Sequence, residues 1–433
     1  MSTSSGGSTP AALAISFQNQ SSFADSDIHI MFGGTGSVTG TITLNGTNQA
    51  LAINTDYPLS QISSLVLNSF VGGKIFISYG AALTNASNPG FPDFQPGSAD
   101  PTAQVRWDKL EITYFAASMG SSGINMSAVD FFSIPFAVSA SLNGTPVGSI
   151  GWHPQTATSA VYSGLAQLTQ GQTSQLSAVV LANTPTSFDV SIPLNGSNQA
   201  VLRIISPSSI NQAVSNPYPA IATGSGSMNV VGTYGGLNPL PTNPPLPQTA
   251  YQNQTYNFQS SLDSNGNLVL TGSGSLVGNQ TLTIAANQIA KGLFSGDPPY
   301  SLASSTKTLT NSNSVYDAVL SDTIAAFNLG LVDSTVVDPR APANNIPAGT
   351  LIDTENTDAW YSRGPLYGLN PQLTPEQLFR GLQSNPAHYN QYADFLSQIT
   401  DAYSFPYTDK SAAPFLQVTP GQADSITITI LAD

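Results

Sequence analysis

Two carboxylates stand out in a stretch of apolar, strand-like sequence. Glu111 lies in W-D-K-L-E-I-T-Y-F (107–115), and Asp130 lies in I-N-M-S-A-V-D-F-F-S-I-P-F (124–136), with a Gly/Ser-rich turn between them. Only 24 Asp and Glu occur among the 433 residues, and an unpaired carboxylate is a poor strand residue. Paired carboxylates across a cleft are what glycoside hydrolysis requires, because one donates a proton while the other activates water or attacks the sugar.

A hairpin would bring the two carboxylates together. If its apex falls between Gly120 and Ser121, Glu111 faces Asp130 directly, with a Cβ separation of about 4.5–5.5 Å. Retaining enzymes need carboxyl groups roughly 5–5.5 Å apart and inverting enzymes roughly 6.5–9.5 Å. The predicted register therefore suits a glycosidase but does not choose between the two mechanisms.

In the first run of the hairpin, Leu110 and Ile112 fall on one face and Glu111 and Thr113 on the other. The second run is irregular. Asn125 and Ser127 share one face, whereas Asp130 falls on the opposite parity, and a bulge near Ala128 or Val129 would restore the alternation. An edge hairpin with two solvated acids fits the same spacing, so both interpretations stay open on the pattern alone.

The elements around this hairpin are mainly β. Short alternating runs with turn residues continue from residue 12 to 150, and Asn-Gly at Asn45 and again at Asn143 predicts tight hairpins. A mixed region follows, in which 314–331 has the apolar spacing of a helix, and the tail returns to alternation. We expect a disordered leader (1–11), a β-sandwich or barrel domain (12–150), an inserted mixed α/β domain (151–385) and a return to the first domain (386–433).

Composition excludes several classes of function. The net charge is −14, from 10 Lys and Arg against 24 Asp and Glu, which argues against nucleic acid and anionic membrane surfaces as partners. The chain has no cysteine, and its three histidines lie far apart in sequence, so we expect no metal and no cofactor. A neutral ligand such as a sugar suits a chain with only 8% charged residues.

Several segments resemble a known family. The block L-E-I-T-Y … I-N-M-S-A-V-D-F-F-S-I-P-F and the tail A-Y-S-F-P-Y-T-D-K … I-T-I-T-I are similar to the signature of thaumatin-like proteins. The runs V-L-R-I-I-S-P (201–207) and I-A-A-F-N (324–328) look more narrowly like glycoside hydrolase family 64. The resemblance implies a thaumatin-like β-sandwich or barrel, an inserted mixed α/β domain and a groove between them. It also implies inverting, endo-type hydrolysis of β-1,3-glucan to short oligosaccharides.

Carried over by position, the resemblance assigns roles to individual residues. Glu111 takes the role of general acid, Asp130 that of general base, and Thr113 that of a sugar contact. Three positions depart from the family pattern, because Phe115 replaces an Asn, Gly123 a Trp and Lys74 an Arg.

Other residues are candidates for binding the sugar. Asn125 lies on the predicted cleft strand, and Lys74 takes the place of the family's Arg. We expect Asp108 and the adjacent Lys109 to form a solvated pair. Aromatic side chains suit the faces of sugar rings, and the candidates are Trp107, Tyr114, Tyr79, Trp152 and Trp360.

The resemblance also suggests where the protein acts and with what. We expect a secreted monomer whose partner is a β-1,3-glucan polysaccharide or oligosaccharide, with no nucleic acid and no membrane. Two alternatives remain on the sequence. One is a β-glucan or cell-wall binding protein with the same cleft but little catalysis, and the other is an inert structural module.

Overall fold

The structure is a computed structural model in which part of the chain is described. The described residues are 12–95, 98–115, 122–153, 156, 158, 160–161, 164, 180–182, 190–194, 197–206, 228–233, 255–274, 278–289, 300–303, 308–309, 316–329, 335–337, 345–347, 379–381, 389–405 and 415–432. The predicted leader and Trp360 lie outside them. No helix within these ranges has the length and apolar character needed to span a bilayer.

Most of the described residues between 12 and 151 lie in strands. Short 3-10 turns occur at Asp25–Asp27, Leu59–Gln61 and Pro101–Gln104. The strands are β1 (Leu13–Asn19), β2 (Ile28–Gly34), β3 (Val38–Leu44), β4 (Thr47–Ala50), β5 (Tyr57–Pro58), β6 (Ile62–Tyr79), β7 (Arg106–Phe115), β8 (Gly123–Met126), β9 (Phe131–Phe132), β10 (Phe136–Leu142) and β11 (Thr145–Gly151).

The remaining described elements include strands, two α-helices and a 3-10 turn. They are β12 (Val180–Ala182), β13 (Val190–Leu194), β14 (Ser197–Ile205), β15 (Met228–Thr233), β16 (Thr255–Leu262), β17 (Leu268–Gly274), β18 (Gly278–Ile284), β19 (Tyr300–Leu302), β20 (Thr308–Leu309), α1 (Tyr316–Leu329), β21 (Thr335–Val337), β22 (Asn345–Pro347), a 3-10 turn at Phe379–Gly381, α2 (Gln391–Ser397), β23 (Leu416–Gln417) and β24 (Ser425–Ile430).

One large sheet carries the region of interest. Twelve of the described strands join it, and its main path runs β11-β10-β24-β1-β6-β7-β8-β23. The long strand β6 is central to this sheet. Strands β3 and β1 pair with its first half, β2 pairs with its second half, and β7 pairs along most of its length. The predicted mainly β fold with a barrel-like sheet is confirmed.

The tail and the start of the chain meet in this sheet. Strand β24 pairs in parallel with β1 and antiparallel with β10, and β23 pairs with β8. Alternation explains β24, because its Ile426, Ile428 and Ile430 are all buried while the residues between them are half-exposed. The return of the tail to the first sheet agrees with the sequence interpretation, while the predicted domain boundaries stay predictions.

Two sequence signals for local structure are confirmed. Asn45-Gly46 and Asn143-Gly144 have positive φ at both residues, as a type I′ turn requires, and they join β3 to β4 and β10 to β11. The helix predicted over 314–331 is present as α1.

The middle of the chain forms separate sheets. Strands β15 to β20 make an antiparallel meander, and β12, β14 and β13 make a smaller sheet. Strand β9 also pairs with β14, so the loop that follows β8 is tied to the middle of the chain.

Candidate active site

Glu111 lies on the outer face of β7, away from the core. Its strand neighbours Leu110 and Ile112 are buried, whereas Glu111 is 37% exposed by its side chain. The alternation of this part of β7 follows the pleat, so the carboxylate projects on the side opposite the core. Across the sheet, Glu111 faces Lys74 of β6 and Asn125 of β8.

The register of the β7–β8 hairpin corrects the sequence prediction. Glu111 faces Asn125, and Leu110 faces Met126, so Asp130 is not directly opposite Glu111. The predicted bulge near residues 128 and 129 is also wrong, since β8 ends at Met126 and the chain then leaves the sheet. Apolar alternation fits more than one register, and packing of Ile124 and Met126 into the core selects the one observed.

A groove of about 180 Å³ surrounds Glu111 on this face. Thr113 stands one pleat further along β7 and accepts a hydrogen bond from the backbone N–H of Gly72 over 3.1 Å. That N–H is available because β6 is irregular between Phe70 and Gly73. The groove is lined by Gly72, Gly73, Lys74, Glu111, Ile112, Thr113, Gly123, Asn125 and Phe415.

Two polar side chains in this groove flank Glu111. The Lys74 Nζ lies 3.0 Å from a carboxylate oxygen of Glu111, in a pair that is about one-third exposed. The side-chain oxygen of Asn125 is buried and has no hydrogen-bond partner among the described residues. A buried acceptor without a partner is costly, so Asn125 is well suited to accept a hydrogen bond from a bound hydroxyl.

Asp130 is held by a buried lysine on the same strand as Glu111. The Lys109 Nζ lies 2.9 Å from Asp130 Oδ2, and the Lys109 side chain is only 4% exposed, against 35% for Asp130. Lys109 also lies 4.7 Å from the centroid of the Phe131 ring. Burial by itself would lower the pKa of Lys109, but the carboxylates of Asp130, Asp108 and Glu111 outweigh burial and raise it above its ordinary value.

Lys109 therefore links the two carboxylates. It stands two residues before Glu111 on β7, about 7 Å along the strand, and both acids act electrostatically on its ammonium. The structure thus brings Glu111 and Asp130 into one charged cluster, although not by the direct pairing that the sequence predicted. Lys109 was not recognised from the sequence as part of this site.

The middle of the chain holds the Asp130 loop in place. The carbonyl oxygen of Asp130 accepts a hydrogen bond from Ser206 N over 2.9 Å, and the Ser206 hydroxyl donates to the carbonyl of Val129. Next to it, β9 pairs with β14, where Ile205 faces Phe131.

A buried arginine of β14 strengthens this junction. Arg203 lies over the rings of Trp107 and Phe131, at 5.6 and 5.5 Å from their centroids, and donates to the carbonyl of Ala103 over 2.8 Å. Arg203 belongs to the run V-L-R-I-I-S-P that carried part of the family resemblance, but its structural role was not predicted from the sequence.

The burial of Asp108 differs from the prediction made from the sequence. Its position beside Lys109 suggested a solvated pair, yet both side chains are buried. One carboxylate oxygen of Asp108 accepts from Lys109 N, and the other accepts from Ser133 N and Ile134 N at 2.9 and 3.1 Å. Burial raises the pKa of Asp108 to about 6, against the opposing effects of Lys109 and these backbone N–H groups.

The raised pKa of Asp108 predicts a pH dependence of stability. Between the unfolded value of 3.8 and about 6, the folded state holds a proton that the unfolded state has lost. The contribution of Asp108 to stability is therefore present below about pH 4 and falls as the pH rises to 6, by about 3 kcal/mol.

Urea denaturation at pH 4 and pH 6.5 tests this prediction with an Asp108→Asn variant. Other carboxyl groups titrate in both proteins, so the difference in unfolding free energy, wild type minus variant, isolates Asp108 and should fall by about 2 kcal/mol between these two pH values. A difference that is the same at both pH values would contradict it.

The aromatic candidates are mostly unavailable to a sugar. Trp107 is 1% exposed, packs against Phe76 and Phe131, and donates its indole N–H to the carbonyl of Thr102. Tyr114 is fully buried on the core face of β7. The predictions that Trp107 and Tyr114 contact substrate are therefore wrong, because both rings are packed in the protein interior.

The two other described aromatic candidates are buried as well. Trp152 and Tyr79 belong to the main core cluster. The aromatic side chain that does line the groove is Phe415, which the sequence did not single out. No group of three or more metal-ligating side chains occurs within the described part of the chain.

A carboxylate in an open groove, with a second carboxylate held by Lys109 of the same strand, suits the class of the glycoside hydrolases. Residues 12–219 match the family model for glycoside hydrolase family 64, which is described as beta-1,3-glucanase. The family resemblance seen in the sequence is thereby confirmed, and with it the expectation of a glycoside hydrolase. No curated protein sequence matches the chain.

Solved structures share the fold over nearly the whole chain. One is a laminaripentaose-producing beta-1,3-glucanase in complex with laminaritetraose, at 16% identity and a TM-score of 0.54, covering 98% of this chain and 99% of that one. Another is a GH64 beta-1,3-glucanase domain from Clostridium beijerinckii, at 13% identity and a TM-score of 0.51, with the same coverage of both chains.

Proposed function

We propose that this protein hydrolyses β-1,3-glucan at internal bonds by an inverting mechanism with two carboxylates. The observation that carries the proposal is the placement of Glu111 in an open groove, with Asp130 held by the buried Lys109 two residues before Glu111 on β7. The match of residues 12–219 to the beta-1,3-glucanase family supports the choice of substrate.

Each carboxylate has one role in this reaction. Glu111 donates a proton to the glycosidic oxygen as the bond from that oxygen to the anomeric carbon breaks. Asp130 takes a proton from a water molecule whose oxygen attacks the anomeric carbon from the opposite face. Asp130 lies beyond the end of β8 instead of facing Glu111 directly, an offset that agrees with the room an inverting enzyme needs for a water molecule.

Two lysines set the charge of these carboxylates. Lys109 is buried and stabilises the ionised form of Asp130, which a general base requires. Lys74 is partly exposed, so its pair with Glu111 can open when a sugar enters the groove. Lys74 is then free to bind a sugar hydroxyl, together with Thr113 and Asn125.

Product analysis with laminarin tests the proposed function. We expect the protein to release short oligosaccharides from laminarin but not from a β-1,4-glucan of similar length. Proton NMR during the first turnovers should show the α-anomer as the initial product, because inversion at a β-linkage forms it. An initial β-anomer would support hydrolase activity but contradict the inverting mechanism. If no oligosaccharide is released from laminarin, the proposal that the protein is a glucanase is wrong.

The Lys74–Glu111 ion pair also supports a second candidate, a β-glucan binding protein without catalysis. An ion-paired carboxylate that stayed ionised could not donate a proton. This candidate predicts retention on insoluble β-1,3-glucan without release of reducing ends, which the same experiment detects.

We further propose that the protein acts outside the cell as a monomer. A polymeric glucan does not cross a membrane, so its hydrolysis requires enzyme on the same side. Cell fractionation and light scattering test these two proposals.

A further inference from the structure

Phe415 is an exposed aromatic side chain at the wall of the groove. Its exposed fraction is 43%, whereas the four aromatic candidates among the described residues are buried. Exposing an aromatic ring to water has a free-energy cost that a binding partner would relieve. Phe415 stands immediately before β23, in a segment nearly 300 residues away from its neighbours in the groove.

The ring lies directly on the backbone of Gly123. A Cβ added to Gly123 would overlap three atoms of the Phe415 ring, so only glycine leaves room for it. Gly123 faces Thr113 across the β7–β8 pair, and Glu111 faces Asn125 one pleat further on. The aromatic ring is therefore about 7 Å along the sheet from the carboxylate, close to the width of one sugar ring.

The surroundings of the ring are chemically suited to a sugar. A glucose unit has C–H groups on its faces and hydroxyl groups around its rim. The negative face of an aromatic ring attracts such C–H groups, while the Thr113 hydroxyl and the unpartnered Asn125 oxygen meet hydroxyls at the rim. Among the described residues that line this groove, the charged side chains are Lys74 and Glu111.

We propose that Phe415, seated on Gly123, is the stacking surface for the glucose unit next to the one whose bond is cleaved. The proposal rests on the proposed function and adds a binding residue to the same site. Phe415 thereby supplies from the tail an aromatic surface at the position where β8 itself has only glycine.

Binding of laminari-oligosaccharides tests the proposal directly. Calorimetry with laminaripentaose, in a Glu111→Gln background to prevent hydrolysis, should show about a tenfold weaker Kd for Phe415→Ala and near-normal binding for Phe415→Tyr. Phe91→Ala is the matched control, since Phe91 is 37% exposed but does not line the groove. It should bind as the parent protein does.

Gly123→Ala provides an independent variant in which the phenylalanine is retained. The added methyl group would displace the Phe415 ring, so Gly123→Ala should weaken binding as much as Phe415→Ala does. In the double variant the methyl group has room, and binding should equal that of Phe415→Ala alone, because the two changes act on one contact. Additive losses would overturn the proposed contact.

The outcomes separate this inference from the proposed function. If the parent protein binds laminaripentaose and Phe415→Ala binds equally well, the stacking role is wrong while the glucanase function stands. If the parent neither binds laminaripentaose nor, with Glu111 intact, hydrolyses laminarin, the proposed function fails and the inference fails with it. A loss of binding in Phe91→Ala equal to that in Phe415→Ala would also overturn the inference.

Discussion

Glu111→Gln should lower kcat on laminarin about a thousandfold, with the fold intact. Glutamine has nearly the same shape as glutamate but cannot donate the proton that the departing sugar oxygen needs, and general acid catalysis contributes roughly 10²–10⁴ to the rate. The side chain is about one-third exposed, and its one ion pair, with Lys74, is partly exposed too, so the unfolding free energy should stay within about 0.5 kcal/mol of wild type. Reducing-end release and urea denaturation measure both quantities.

Asp130→Asn should lower the same rate by a similar factor for a different reason. Asparagine cannot take a proton from the attacking water, although it can still accept a hydrogen bond from Lys109.

A substrate with a good leaving group distinguishes the two roles. An aryl β-laminaribioside with an acidic phenol needs little protonation, so Glu111→Gln should regain most of its rate on it while Asp130→Asn should not. Asp25→Asn, which changes an exposed carboxylate outside the groove, is the control and should match wild type. A Glu111→Gln enzyme within a few-fold of wild type on laminarin would refute the assigned role.

Lys109→Met should have the largest effect on stability. Methionine has a similar length but no charge, so the buried carboxylate of Asp108 and the half-exposed one of Asp130 lose their shared cation. Breaking a buried pair by removing one partner costs about 3–5 kcal/mol. Urea denaturation at pH 7 should show a loss in this range, and it should shrink toward pH 4 as Asp108, whose pKa is about 6, takes up a proton.

A double variant shows whether Asp130 is the partner that matters. In Lys109→Met/Asp130→Asn the cation and one carboxylate are both removed, so the loss of stability should be smaller than in Lys109→Met alone. Lys109→Arg is the control that keeps the charge. A Lys109→Met deficit under about 1 kcal/mol, or one unchanged by Asp130→Asn, would mean that the ammonium does not hold this cluster.

The local features of the site were within reach of sequence reasoning. The alternation around Glu111 correctly placed its carboxylate opposite Leu110 and Ile112, because the pleat turns successive side chains to opposite faces. Thr113 was recognised from the family resemblance and Asn125 from its place on the predicted cleft strand, and both line the groove. Lys74, noted as a departure from the family pattern, is the ion-pair partner of Glu111.

The sequence predictions were wrong where contacts between distant parts of the chain determine whether a side chain is buried. Trp107 and Tyr114 are aromatic residues of the kind that stack on sugar rings, but packing against other parts of the chain buries both rings. Asp108 and Lys109 were interpreted as a surface pair because the pattern of one strand does not reveal what covers it. The backbone N–H groups of Ser133 and Ile134 and the carboxylate of Asp130 provide that cover.

The sequence by itself determined the mainly β fold, the hairpin turns at Asn45 and Asn143 and the outward face that carries Glu111. These depend on φ preferences and on the two-residue period of a strand, which are local properties of the backbone. Only the tertiary structure decided that Glu111 faces Asn125, that Lys109 joins the two carboxylates, and that Phe415 lies on Gly123. Several strand registers and packing arrangements satisfy the same local alternation of apolar residues. The one that forms is the one that packs the core best, and this depends on residues far apart in sequence.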